Sequence, residues 1–141
     1  MPPPSDHPSL HVFVAEPLYF VTKLSPDNAI PPVFLEALGV NSGRFLSITR
    51  TPDEISVVGE VQGDFPVPED DMNWKAFRLR GPFPFDLTGI LNSFIAPLKD
   101  AGIGIFAIST FNTDFILIAV EQAQSAVEVL SRDGWVVKMS R

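Results

Sequence analysis

Two hydrophobic runs joined by a short polar segment form the most distinctive pattern along the chain. The runs cover residues 103–108 and 115–120, and the polar segment covers residues 109–114. Both runs are too apolar to face water on either side, which predicts two central strands of a sheet joined by a polar hairpin tip. A tip with hydroxyls, an amide and one carboxylate can bind a small polar ligand, or it can be an ordinary turn.

Two amphipathic helices are predicted on either side of this strand pair. The first begins at residue 86, with Asp86 as its cap, and continues to about residue 101, with a bend at Pro97. The second covers about residues 121–132 and stops at Gly134. The apolar residues of the first helix follow the spacing of one buried face. They are Leu87, Ile90, Leu91, Phe94, Ile95 and Leu98.

Strands at residues 74–79 and 135–139 complete the order strand, helix, strand, strand, helix, strand in the second half of the chain. Right-handed crossovers then place both helices on one face of a four-stranded sheet. We therefore predict an α+β fold of the ferredoxin-like type.

A shorter version of the same order is predicted in the first half. Its helix covers residues 33–38, and its strands are predicted at residues 10–14, 18–24, 45–51 and 55–61. The segment after it has several acids, two prolines and no base, which is typical of a solvated linker. The predicted organisation is a tail at 1–9, a first half at 10–61, an acidic linker at 62–72 and a second domain at 73–141.

Composition argues against several classes of function. The net charge of −7 does not suit a protein that binds nucleic acid or anionic membrane. The absence of cysteine excludes disulfides and thiol chemistry. The two histidines, His7 and His11, have no partners at catalytic or metal-ligand spacing, so we expect no cofactor, no metal and no enzyme activity. With no signal peptide and no apolar run long enough to span a membrane, a cytoplasmic protein is expected.

Three segments of the sequence resemble a known family. They are residues 45–58, residues 81–91 and residues 107–115, which include the motifs Thr-Gly-Ile-Leu at 88–91 and Ser-Thr-Phe-Asn-Thr-Asp at 109–114. In these segments the chain is similar to the small tandem ACT-domain proteins related to the CASTOR arginine sensors. The resemblance implies tandem ferredoxin-like ACT domains and non-catalytic binding of an amino acid at an ACT–ACT interface.

The same resemblance bears on assembly. CASTOR sensors have four ACT units, and this chain has room for two. Small sheets of this type also leave strand edges that another chain can cover. We therefore expect a homodimer or a protein partner.

The chemistry of an amino acid suggests how the candidate site would work. The start of the helix that contains Gly89 suits a carboxylate, and glycine lets a ligand approach the backbone. Asp114 suits an ammonium group through a charge-assisted hydrogen bond. The candidate ligand-binding residues are Thr88, Gly89, Ile90, Leu91, Ser109, Thr110, Phe111, Asn112, Thr113 and Asp114, with Ser47 and Thr49 on the matching strand of the first half.

Each of these assignments has a plainer alternative. Asn112 and Asp114 are residues that favour tight turns, and Gly89 suits close packing of a helix on a sheet. Phe111 and Phe115 are expected to belong to the core, and Arg50 to the solvated surface. The alternative function is a structural or protein-interaction ACT module with a vestigial ligand site.

Overall fold

A computed structural model describes residues 8–80 and 87–140 of the chain. Its strands and helices follow in the order β1 (Val12–Ala15), β2 (Tyr19–Leu24), α1 (Pro32–Leu38), β3 (Leu46–Arg50), β4 (Ile55–Glu60), β5 (Trp74–Leu79), α2 (Leu87–Asp100), β6 (Phe106–Ser109), β7 (Asp114–Ala119), α3 (Val120–Arg132) and β8 (Val137–Ser140). Short 3-10 turns cover Pro8–Leu10 and Glu69–Asp71.

The chain forms two compact units. The terminal unit consists of Met1–Glu16 together with Lys75–Arg141, and the central unit is Pro17–Trp74. The sequence assigned residues 10–16 to the first half of the chain, whereas in the structure these residues belong to the terminal unit. Each unit is described by itself below.

The terminal unit is a sheet with two helices on one face. Its strands are ordered β6-β7-β5-β1-β8, with β6 antiparallel to β7, β1 antiparallel to β5 and β1 parallel to β8. Phe94 and Leu98 from α2, and Ala126 and Leu130 from α3, are fully buried in one core with the sheet. The predicted α+β class and the predicted order of elements are confirmed.

The observed terminal unit differs from the predicted second domain because its sheet also contains strand β1. Val12 pairs with Leu79 on one side and with Val137 on the other, so the sheet has five strands instead of four. The Nζ of Lys75 donates to the carbonyls of Ala15 and Glu16 at 3.1 and 2.7 Å, which holds the end of β1. The β-branched and aromatic residues of β1 predicted a strand, but this composition does not specify which sheet a strand joins.

The buried face of α2 matches the predicted one where it is described. Phe94 and Leu98 are fully buried, and Ile90, Leu91 and Ile95 are half-buried against the same core. The predicted cap at Asp86 and the side chain of Leu87 lie outside the described residues. The helix continues through Pro97 and ends at Asp100, followed by Gly102 at φ 73°, a backbone conformation that favours glycine.

The central unit repeats the first part of the same plan. Strands β3, β4 and β2 form an antiparallel sheet in that order, and α1 packs on it through Phe34. The rings of Phe34 and Phe65 meet edge to face with centroids 4.8 Å apart. The core residues of this unit are Phe20, Phe34, Ile55, Val57 and Phe65.

The segment predicted as a solvated linker contributes to the core of the central unit. Phe65 is only 5% exposed, and the hydroxyl of Thr22 donates to Oδ2 of Asp71 at 2.8 Å. Asp64, Glu69 and Asp70 are exposed, as expected of acids. Because charges and prolines predominate in this segment, its sequence pattern did not indicate that Phe65 is buried.

Within the described part of the chain, no helix is both long enough and apolar enough to cross a membrane.

We predict that Phe94→Ala destabilises the protein by about 3–5 kcal/mol, because it leaves a cavity in the core of the terminal unit. Phe111→Ala is the matched control, since this phenylalanine is fully exposed. The free energy of unfolding from denaturant titration checks both. A small loss for Phe94→Ala, similar to that of the control, would contradict the packing of α2.

Gly59 in β4 is required for steric reasons. A Cβ at this position would lie 2.8 Å from the carbonyl oxygen of Phe45, whereas a Cβ at Gly63 would meet nothing within 4 Å. We expect Gly59→Ala to lower the melting temperature clearly and Gly63→Ala to leave it nearly unchanged. Equal melting temperatures for the two variants would show that β3 and β4 are not held this closely.

Candidate functional site

The polar segment between the two apolar runs is the hairpin that joins β6 to β7. Ser109 pairs with Asp114, and the N–H of Thr110 donates to the carbonyl of Thr113 at 2.8 Å. The hydroxyl of Thr110 also donates to that carbonyl at 3.2 Å and accepts from the N–H of Thr113 at 3.3 Å. The hydrogen bonds of the turn therefore use the hydroxyl of Thr110 and the backbone groups of both threonines.

Asp114 differs from an ordinary turn residue because it is buried. Its side chain is 5% exposed, and the hydroxyl of Ser109 donates to Oδ1 at 2.5 Å. No lysine, arginine or histidine in the described part of the chain forms an ion pair with it. A buried carboxylate is unfavourable unless it is well hydrogen-bonded, and it has acceptor positions for more than one donor.

The hairpin presents its polar groups to both faces of the sheet. Side chains alternate along β7, so Asp114 shares its face with Ile116 and Ile118, which belong to the core beneath α2 and α3. Phe115 points to the opposite face. Ser109, directly across from Asp114, lies on the helix side with it.

The hairpin tip is tied to the last residue of β5, the strand that precedes α2 along the chain. The hydroxyl of Thr113 donates to the carbonyl of Leu79 at 2.8 Å, which ties the tip to the last residue of β5. From Leu79 the chain continues to the start of α2 at Leu87.

Three of the predicted ligand-binding residues in the first turn of α2 are described by the structure. Gly89 is exposed, whereas Ile90 and Leu91 are half-buried against the core. The side chain of Thr88 lies outside the described residues.

The opposite face of the sheet contains a cleft that the sequence did not predict. It is lined by Arg78, Arg80, Thr110, Asn112, Thr113 and Phe115. Arg78 and Arg80 are alternate residues along the chain. This spacing could have suggested that their side chains lie on the same face of the sheet. Their proximity to Asn112 depends on how β5 and β7 pair, which the sequence does not specify.

Phe111 is a correction to the expected core. It is completely exposed at the tip of the hairpin, whereas Phe115 is half-buried. The two central residues of a hairpin tip extend beyond the sheet, so an aromatic residue there has no layer to pack under.

The remaining candidates belong to the central unit. Ser47 and Thr49 lie on β3 opposite Val58 and Ser56, on the face away from the core residue Ile48. The guanidinium of Arg50 donates to the carbonyl of Pro26 at 2.9 Å.

The described residues include no group of three histidines or carboxylates that could hold a metal ion.

Comparison with known proteins identifies the family. The ACT-domain profile matches residues 69–132. Human CASTOR3P is 30% identical over 126 residues, which cover 80% of this chain and 76% of that protein. A crystal structure from Agrobacterium tumefaciens is 36% identical, with a TM-score of 0.75 and 96% coverage of both chains. The chain therefore belongs to the ACT-domain family related to the CASTOR arginine sensors.

More distant matches are shorter or concern the fold alone. The bovine cytosolic arginine sensor for mTORC1 subunit 1 is 25% identical over 101 residues, so the chain spans only 31% of that protein's length. The regulatory subunit of aspartate kinase from Thermus thermophilus has a TM-score of 0.57 at 16% identity, with 86% of this chain covered and 97% of that one. At that identity only the fold is shared.

We predict that Thr113→Val destabilises the protein by about 1–3 kcal/mol, because the buried carbonyl of Leu79 loses its hydroxyl donor. Thr49→Val is the control, since Thr49 is exposed on β3. Denaturant unfolding of both variants measures the difference. Equal stabilities would mean that the tip is not anchored to β5 through this hydroxyl.

Proposed function

We propose that this protein is a non-catalytic regulatory module that binds an amino acid in its terminal unit. The observation that carries the proposal is the buried carboxylate of Asp114, which has a hydroxyl partner but no ion-pair partner in the described part of the chain. A buried acid of this kind suits a cationic ligand group. The other end of an amino acid, its carboxylate, needs donors or positive charge nearby.

The location of Asp114 supports both contacts. The ammonium group of the ligand would donate a hydrogen bond to the Asp114 carboxylate and supply the positive charge that pairs with it. We infer that the positive end of α2, the helix that follows β5, would bind the ligand carboxylate. Ser109 would hold the Asp114 carboxylate in position through its hydroxyl. That the ligand lies where two ACT units meet stays a prediction.

The names of the relatives support the same class of ligand. The bovine relative is named a cytosolic arginine sensor, and so is a human relative other than CASTOR3P. The Thermus thermophilus protein is a regulatory subunit of aspartate kinase. The chain spans less than a third of the bovine sensor. The names arginine and mTORC1 therefore describe that protein, and neither is proposed for this chain. For this chain we propose an amino acid as the class of ligand, a cytoplasmic location, and a homodimer or a protein partner.

A second candidate function is an interaction module without a ligand. The outward face of α1 favours it, because Leu35 and Leu38 are about half exposed there, and Val40 just beyond the helix is 66% exposed. Neighbouring apolar side chains in solvent are typical of a surface that another protein covers. In that case the candidate ligand site at Asp114 would be vestigial.

The test of the first candidate is Asp114→Asn. We expect the variant to bind its amino acid about 10- to 150-fold more weakly, because one charge-assisted hydrogen bond is lost while the size of the side chain is kept. A thermal-shift screen of the parent protein against the twenty amino acids finds the ligand, and calorimetry measures the affinities. Asp133→Asn removes an exposed carboxylate after α3 and is the matched control.

Two results would count against the proposal. Equal affinity of the parent and Asp114→Asn would make Asp114 a turn residue only. If no amino acid binds the parent protein at millimolar concentration, the interaction module replaces the sensor as the better account.

A further inference from the structure

The cleft on the sheet face away from the helices contains two guanidinium groups that no carboxylate neutralises within the described residues. Arg78 is half-buried and Arg80 is exposed, and neither forms an ion pair there. As alternate residues at the end of β5, they lie about 7 Å apart along the strand on the same face. Two adjacent like charges repel each other, and an anion placed between them would relieve that repulsion.

The backbone and one aromatic ring position these two arginines. The guanidinium carbon of Arg78 lies 5.3 Å from the centre of the Phe13 ring, a cation–π contact that orients the planar donor group. The N–H of Arg80 donates to the carbonyl of His11 at 2.8 Å, so its backbone continues the β1–β5 ladder. Both side chains therefore start from an ordered strand.

The hairpin tip adds a neutral donor and an apolar wall. Asn112 is exposed, and its amide has no hydrogen-bond partner in the part of the chain that the structure describes. Thr110 and Thr113 use their hydroxyls within the hairpin and with Leu79, so they contribute mainly surface to the cleft. Phe115, half-buried on the same face, forms an apolar wall.

The cleft has the size of a small-molecule site. Its volume is about 530 Å³, within the roughly 300–1,000 Å³ that is typical of ligand pockets. Arginine forks bind planar oxyanions in a bidentate manner, and an amide can donate to the same group. A ligand with two anionic ends or one dianionic end would satisfy both guanidiniums.

The charge of the whole chain does not oppose such a ligand at this location. Pro17–Trp74 has nine acids and three bases, which leaves eight acids and seven bases in the terminal unit. The excess negative charge thus belongs almost entirely to the central unit. Beyond about 8–10 Å in physiological salt, exposed charges are largely screened.

We propose that this cleft is a second binding site, for a small dianion such as a short dicarboxylate or a phosphate. Arg78 and Arg80 bind the anionic oxygens, Asn112 donates a further hydrogen bond, and Phe115 contacts the carbon skeleton when there is one. The site is distinct from the proposed amino-acid pocket, because Asp114 and Ser109 point to the other face of the sheet.

The test is calorimetric titration of the full chain with succinate, glutarate and inorganic phosphate, each to about 10 mM. We expect saturable binding of at least one of them and a loss of about tenfold in affinity for Arg80→Gln. Lys99→Gln, which removes an exposed charge near the end of α2, is the matched control and is expected to bind like the parent. Preference for the dicarboxylates or for phosphate identifies which kind of anion the cleft accepts.

A second variant covers the case in which Arg80→Gln does not fold. Asn112→Ala changes only an exposed hairpin residue and is expected to weaken anion binding severalfold, with circular dichroism unchanged. Asp114→Asn is expected to leave anion binding intact, which separates this site from the proposed amino-acid pocket. Absence of binding by all three anions would overturn the proposal. An equal loss for Lys99→Gln and Arg80→Gln would do the same, because it would indicate unspecific attraction.

Discussion

Burial of β7 on both of its faces is the constraint on which the rest of the terminal unit depends. Ile116, Leu117 and Ile118 are consecutive, and none is more than 1% exposed. A strand buried on both sides cannot slip by one residue without moving polar groups into the core. Its register with β6 and the orientation of every side chain in the tip hairpin are therefore fixed.

The two proposed sites are consequences of this fixed strand. Because Asp114 is in phase with Ile116, its carboxylate is directed to the helix-covered face, where Ser109 bonds to it. Residues of the opposite phase, such as Phe115, face the arginines of β5. The bond from Thr113 to Leu79 joins the tip to the end of β5, so both faces share one rigid support.

The sequence predicted what depends on local periodicity. The spacing of Phe94 and Leu98 specified the buried face of α2, and the two apolar runs specified β6 and β7. Only β7 is the central strand that was predicted, because β6 pairs with β7 alone and is an edge strand with Ala107 and Ser109 exposed. The sequence also predicted the fold class and the family. Turn chemistry is the plainer alternative for Asn112 and Asp114, and it does not by itself account for the burial of Asp114.

What the sequence could not predict depends on pairing between distant segments. Valine at position 12 is compatible with a strand of any sheet. Only its pairing with Leu79 and Val137 assigns Val12 to the terminal unit. Phe65 is one aromatic among prolines and acids, so its burial has no local signal. The arginine cleft needs the lateral order of β5 and β7, which no pattern within either strand contains.

Binding of an amino acid at Asp114 is tested most directly by a nuclear magnetic resonance titration of the ¹⁵N-labelled protein with the amino acid that raises its melting temperature. Because Asp114 is proposed to bind the ligand, saturable shifts are expected in the backbone amides of Ser109, Asp114 and the first turn of α2. Amides in α1 of the central unit serve as internal references. Shifts that omit the Asp114 region, or the absence of any saturable shift, would show that Asp114 is not part of an amino-acid site.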